Sequence, residues 1–252
     1  MSDFNRWNTA APGHAGTTVA VDAGLRAYML RVYNYMAAAV ALTGVVAWFT
    51  FQAAVTTDAA GAITGLTSFG QMIFSGPAVI VLLLATLGLV FFISFRIQNL
   101  QFTTALMLFM VYAGLLGLTL SSIFLVYTGA SITRVFFISA ASFGALSLYG
   151  YTTQRDLSAM GSFLIMGLFG IIIASLVNIF LKSSGLDWII SVIGVGVFAG
   201  LTAYDTQRIK EMYDSMDDDG TLGRKAVMGA LSLYLDFINL FMMLLRLVGD
   251  RR

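Results

Sequence analysis

The chain contains no cysteine and only one histidine, His14, and these two shortages remove whole classes of chemistry. Disulfides, thiolate nucleophiles and thiolate metal sites are excluded, and one histidine in a polar tail does not make a zinc centre. Charge is scarce too: 11% of the 252 residues are charged, against roughly 25% in soluble domains. With 58% hydrophobic residues and a mean hydropathy of +0.86, there is too little polar surface to coat a water-soluble particle of this size. The formal net charge of +1 offers no basic face to phosphates, so no nucleic-acid partner is expected. Two prolines against 25 glycines suit long, closely packed helices and not a loop-rich fold.

What the sequence does have is long apolar runs. A bilayer core of about 30 Å needs about 20 apolar residues per helix. Seven stretches qualify, at 30–52, 77–95, 103–127, 131–150, 160–181, 187–208 and 226–248. They are too long and too uniformly apolar for the strands of a barrel, where polar and apolar residues alternate. The expected fold is an all-α membrane protein, a seven-transmembrane-helix bundle over 27–252 whose first partner is the lipid bilayer. Residues 1–26 are polar and have no short apolar segment ahead of a cleavage site, so they read as a disordered cytoplasmic tail and not a signal peptide. Two connections, 53–76 and 209–225, are long enough to fold partly over the membrane.

Lysine and arginine positions set the orientation. With the N-terminus inside, that side receives Arg6, Arg26, Arg31, Arg96, Arg155, Arg208, Lys210, Arg224 and Lys225. The other side receives Arg134, Lys182, Arg246, Arg251 and Arg252, so the N-terminus is expected inside. An odd number of spans puts the Arg251–Arg252 pair outside; six spans with one re-entrant segment would bring it back.

Each ionisable residue within a span needs a reason, because it costs about 2.5–3.5 kcal/mol near a helix centre on insertion scales. At 100° per residue, Ser191, Gly194, Thr202, Asp205 and Arg208 share one stripe of the sixth span. Gly229, Ser232, Asp236, Asn239 and Arg246 share one of the seventh. Both stripes are expected to face the bundle interior or a watered cavity. Arg208, one turn beyond Asp205, can snorkel to the interface. At about 1.5 Å per residue, Asp205 lies about 5 Å and Asp236 about 15 Å from the cytoplasmic ends, close enough to share one layer. Two acids in low dielectric cannot both ionise freely; a shared proton would hold the helices together, and its loss would repel them or recruit a cation. The plainer reading is packing, with Asp236 accepting from Ser232 or Asn239 and Asp205 pairing with Arg208.

Enzymatic readings fail. An intramembrane aspartyl protease needs Gly-x-Gly-Asp and a later Pro-Ala-Leu, neither of which occurs, and a rhomboid-type serine protease needs a histidine within a span. The run DSMDDDG (214–220) is no EF-hand: with Gly220 sixth, the first position is Ser215 and the twelfth is Ala226. GVFAG (196–200) matches the GxxxG pattern of close helix contact.

AYDTQRIK (203–210) and LSLYLDFINLF (231–241), preceded by RDLSAMGSFL (155–164), resemble the signature segments of the Bax inhibitor-1 family, in its order, over residues 25–249. The resemblance implies a seven-helix fold with the last helix central, surrounded by the other six. It also implies a pH-sensitive calcium leak, with calcium ions as cargo and no cofactor. The acids of its two motifs, here Asp205 and Asp236, form a hydrogen-bonded pH sensor and gate, and calcium would contact the same two carboxylates. A second-span arginine engages the pair in bacterial members; Arg96 and, uncharged, Asn99 are the nearest candidates. Arg208, Ser232, Asn239 and Arg246 are supporting gate or pore residues, although Arg246 has no acid in the second span to pair with. Asn178 and Asp187 are candidates for a pore mouth. Short loops together with the family suggest a bacterial cytoplasmic (inner) membrane. The alternative is a non-transporting scaffold that binds other membrane proteins, regulating a membrane protease or a stress response.

Overall fold

The structure, a computed structural model, describes residues 14–59 and 62–252, with side chains from Ala23 onward. Helix α1 (His14–Ala54) leads to a hairpin of β1 (Val55–Thr57) and β2 (Ile63–Leu66), then a short α2 (Ser68–Ile73). Next come α3 (Gly76–Arg96) with a 3-10 turn (Ile97–Asn99), α4 (Phe102–Leu120) and α5 (Ile123–Val126). The chain closes with α6 (Gly129–Thr152), α7 (Ser158–Leu181), α8 (Ser184–Glu211) and α9 (Asp219–Val248). Among the described residues, seven helical spans are long and apolar enough to cross a membrane, with α4 and α5 together making one. This is the all-α bundle the apolar runs predict.

Local chemistry marks where the helices begin. Ser75, Thr128, Ser183 and Asp218 each sit in extended conformation and accept a hydrogen bond from a backbone N–H in the first turn of α3, α6, α8 and α9. Between α7 and α8 the turn is only two residues. Lys182 takes a left-handed conformation there (φ 48°), and Asn178 Oδ1 accepts from Ser183 N at 3.0 Å. Asn178 therefore caps the end of α7.

The two long connections behave differently. The first folds over the membrane end: β1 and β2 pair antiparallel, and Thr67 Oγ1 donates to Ala53 O at 2.8 Å. The second is mostly helix, because α8 extends to Glu211 and α9 starts at Asp219. Likewise α1 begins at His14, inside the stretch read as a disordered tail; residues 1–13 of that stretch lie outside the described residues.

The C-terminus lies at the end opposite the α8–α9 turn, so the six-span alternative is not adopted. Thr128 N donates to Asp250 O, Arg252 N donates to Val126 O, and Arg134 forms a salt bridge with Asp250 at 2.9 Å. With the spans alternating, Arg26, Arg31, Arg96, Arg155, Arg208, Lys210, Arg224 and Lys225 fall toward one end, called here the basic end.

The most apolar spans are the outer ones. Those of α3 and α7 have mean hydropathies of 2.8 and 2.6 and only 11% of their residues buried, as expected of helices apolar on every side. The span of α9 is 61% buried at a hydropathy of 1.7. It packs extensively against α8, α1, α6 and α4, while α7 is held through α8 and α3 chiefly through α4. Close approach depends on glycine where α6 crosses α8: a Cβ at Gly150 would lie 2.2 Å from the carbonyl oxygen of Ala203. In GVFAG only Gly200 meets a neighbour, Leu164 on α7; a Cβ at Gly196 would meet nothing within 4 Å.

The α6–α8 crossing should therefore be intolerant of any side chain. Gly150→Val is expected to destabilise the detergent-solubilised protein by about 1–3 kcal/mol through overpacking, whereas Gly196→Val should leave the melting temperature nearly unchanged.

Candidate functional site

The segment AYDTQRIK works as a fastener between α8 and the end of α6. Thr206 Oγ1 hydrogen-bonds Ser147 Oγ at 2.9 Å, and Ser147 Oγ in turn meets Tyr33 OH at 2.6 Å, which ties α1, α6 and α8 together. Gln207 accepts from Leu157 N at 2.9 Å and donates to Arg155 O at 2.8 Å, pinning the α6–α7 loop. Lys210 Nζ donates to Tyr151 O at 2.9 Å and lies 5.3 Å from the centre of the Tyr151 ring. Tyr204 packs flat against Gly161 of α7. Asp205 stands half-buried amid these contacts, with no hydrogen bond of its own among the described residues.

On α9, Tyr234 is fully buried and its hydroxyl meets Thr43 Oγ1 at 2.6 Å. Thr43 in turn donates toward Ala39 O and Ala113 O, both at 2.9 Å. Phe109 and Tyr112 meet the Tyr234 ring edge-on, at 5.5 and 5.9 Å between centroids. Two residues on, and so about 200° around the helix, Asp236 turns to the other side. It is 6% exposed, and its Oδ2 is buried without a hydrogen-bond partner. Among the described residues only the Tyr28 hydroxyl shares that condition.

The two acids are neighbours in depth. Gly229 abuts Ile209 and Gly194 abuts Met243, which fixes the antiparallel register of α8 and α9. In that register Asp236 lies opposite residues 201–202 and Asp205 opposite 232–233. The acids are therefore separated by three to four residues along the helices, about 5 Å, half the offset inferred from the apolar runs. No hydrogen bond joins the two among the described residues. Nor does Asp236 lean on the groups that a packing role would use: Asn239 Nδ2 donates to Leu235 O of its own helix, and half-buried Ser232 makes no hydrogen bond to it.

The other candidates lie elsewhere. Arg208 is exposed one turn beyond Asp205 and forms no salt bridge among the described residues. Arg96 and Asn99 are exposed at the basic end of α3, a helix held mainly by α4, and the structure does not bring them into hydrogen bonding with either acid. Arg246 does have an acid partner, Asp187, at 3.7 Å, which links α8 and α9 at the end far from Lys210. The two were singled out separately in the sequence; only the antiparallel register brings them together. Among the described residues no three His, Asp or Glu side chains converge.

The acidic run is spent on architecture. Asp217 pairs with Lys225, Asp214 Oδ1 accepts from Met216 N, and Asp218 caps α9. The Thr221 hydroxyl donates to Asp218 at 2.6 Å, and with the Thr221 backbone N–H it holds the Asp218 carboxyl below the usual carboxylate range. Asp156 is held low in the same way, by the side chain and N–H of Ser158 at the start of α7.

Comparison with known proteins adds a lineage. Residues 25–252 match the family described as inhibitor of apoptosis-promoting Bax1. The chain is 53% identical to the protein RP147 of Rickettsia prowazekii, with 92% of each chain covered. It is 50% identical to the inner membrane protein YbhL of Escherichia coli over 91% of this chain and 94% of that one. A Caulobacter vibrioides protein is 42% identical over the full length of both.

A buried acid with an unpartnered oxygen contributes little to folding. Breaking a structural ion pair would cost about 3–5 kcal/mol, but Asp236→Leu is expected to melt no lower than the wild type, measured in detergent. A large loss of stability would show that Asp236 is a packing residue. At the α9 cap the sign runs the other way. The Asp218 carboxyl is lowered on folding, so its contribution is present above the unfolded value and lost as pH falls through the lowered one. The melting-temperature gap between wild type and Asp218→Ala should thus be open at neutral pH and close on acidification.

Proposed function

From the chain's membership of the Bax inhibitor-1 family, which the match over residues 25–252 establishes, we propose that it is a pH-sensitive calcium leak gated by Asp205 and Asp236. One observation carries this reading: Asp236 is buried with an unpartnered oxygen, about one turn in depth from a second acid, on a helix anchored through its opposite face. Intramembrane acids without a structural partner mark ion or proton pathways.

Two carboxylates sharing a low-dielectric layer repel, and either a proton or a cation between them relieves the repulsion. With a proton, the seam between α8 and α9 closes. Without it, the seam either widens or holds a passing calcium ion, a hard cation that takes carboxylate, carbonyl and water oxygens. Calcium is cargo in this reading and not a resident cofactor. Arg208 stands at the basic mouth of the seam and competes with the cation for Asp205; Asp187 and Arg246 form an ion pair across its far end. The basic end faces the cytoplasm by the positive-inside rule, so the N-terminus is inside. By analogy with the inner membrane protein YbhL, the membrane is the bacterial inner membrane.

Purified protein in liposomes with a trapped calcium dye tests the proposal. A switch run by one proton changes its open fraction by at most about tenfold per pH unit. Wild-type flux should follow pH across the neutral range with a logarithmic slope approaching one, and Asp205→Asn and Asp236→Asn should each flatten it. Absence of flux at every pH would sink the channel and favour a scaffold that binds a membrane protease or stress-response partner.

A further inference from the structure

We propose that the cleft between α1 and α6 is a binding site for one anionic phospholipid, its acyl chain between the two helices and its phosphate on Arg26 and Lys210. Helices α1 and α6 both pack on α9, and α6 packs on α8, yet α1 and α6 have no extensive contact with one another. Between them lies a cavity of about 760 Å³ whose walls include Arg26, Tyr33, Ala41, Gly144, Ser147 and Tyr151. A second cavity of about 340 Å³ continues it toward the far end, past Gly44 and Thr133. The two share Val40, Phe136 and Phe237, with the two rings meeting at 5.6 Å to form a waist.

Small residues contribute to both walls. Ala37, Ala41 and Gly44 line the cleft from α1, and Ala140 and Gly144 line it from α6. Small residues on facing membrane helices ordinarily let the backbones touch. Here a Cβ at Gly44 or Gly144 would meet nothing within 4 Å. The space is apolar, and an apolar gap of this size facing a bilayer is filled by something apolar.

Length suits an acyl chain. From Arg26 to Ala41 the α1 wall is about 22 Å long at 1.5 Å per residue, more than the half of a ~30 Å hydrocarbon core that one leaflet's chains span. The polar groups inside raise no objection, since Tyr33 and Ser147 bond each other and Thr206.

Charge sets the direction. Arg26 is exposed at the basic mouth and has no side-chain partner among the described residues, and Lys210 is seated over Tyr151, itself a wall residue. The far cavity has no charged residue in its wall. A phosphate therefore finds charge-assisted hydrogen bonds at one mouth only, and the lipid comes from the leaflet at the basic end.

The test is native mass spectrometry of the full chain in detergent, titrated with phosphatidylglycerol or phosphatidylcholine. One phosphatidylglycerol per chain should be retained in preference to phosphatidylcholine. Gly144→Leu and, independently, Ala41→Leu fill open space; each should lower retention by roughly tenfold while leaving the melting temperature intact. Arg26→Gln should remove the headgroup preference. The proposal is overturned if both filled variants retain lipid as the wild type does, or if the wild type holds the two lipids equally, which is annular contact only. A two-chain species lost on Gly144→Leu would likewise overturn it, by assigning the cleft to a second copy. None of these readouts depends on calcium flux.

Discussion

Inside a bilayer no water is available to satisfy a polar group, so each must find its partner within the protein or face a hydrated cavity. That constraint organises the bundle. Thr43 is shared between two backbone carbonyls and the Tyr234 hydroxyl; Ser147 stands between Tyr33 and Thr206; Gln207 serves both sides of the α6–α7 loop. All but the Thr43–Ala39 bond join segments distant in sequence, and together they link α1 to α4, α6, α8 and α9 and pin α8 to the α6–α7 loop. Against that background, an unpartnered carboxyl oxygen on Asp236 is an exception that folding alone does not explain. Real proteins break such rules chiefly where function requires it.

Much of this was legible in the chain. Apolar runs of the right length gave seven spans because a bilayer demands a minimum length; ends moved where polar residues continue a helix past the membrane, as at Lys210–Glu211 and Asp219–Arg224, and where α1 reaches back to His14, while the third run breaks after Leu120. The stripes containing Asp205 and Asp236 were legible because helical periodicity alone places residues on a face. Relations between helices were not. The Asp187–Arg246 pair depends on antiparallel register, as do the one-turn separation of the two acids and the Tyr33–Ser147–Thr206 chain. One-dimensional periodicity contains no register. The signature segment AYDTQRIK illustrates the difference: it drew notice for its acid, whereas Thr206, Gln207 and Lys210 do the fastening.

The acidic run 214–220 shows how local chemistry can mimic a site. Four aspartates within six residues suggest cation binding, but three are committed to a cap, a turn and an ion pair with Lys225. Their geometry joins α8 to α9 in a short turn. An acidic cluster deserves a ligand only when its carboxylates converge on one point, and these do not.

The two faces of α9 are held differently. One face is pinned: Tyr234 is bonded to Thr43 and packed edge-on against Phe109 and Tyr112. The far end is pinned as well, through Asp250 and Arg252 to the start of α6. The opposite face packs extensively on α8, and there Asp236 stands opposite the turn that precedes Asp205. The α8–α9 seam is closed by small residues at Gly194 and Gly229 and by a half-exposed ion pair at its far end. An exposed ion pair is weak, about 0–1 kcal/mol, so the close fit at the two glycines, and not the Asp187–Arg246 pair, holds this seam together.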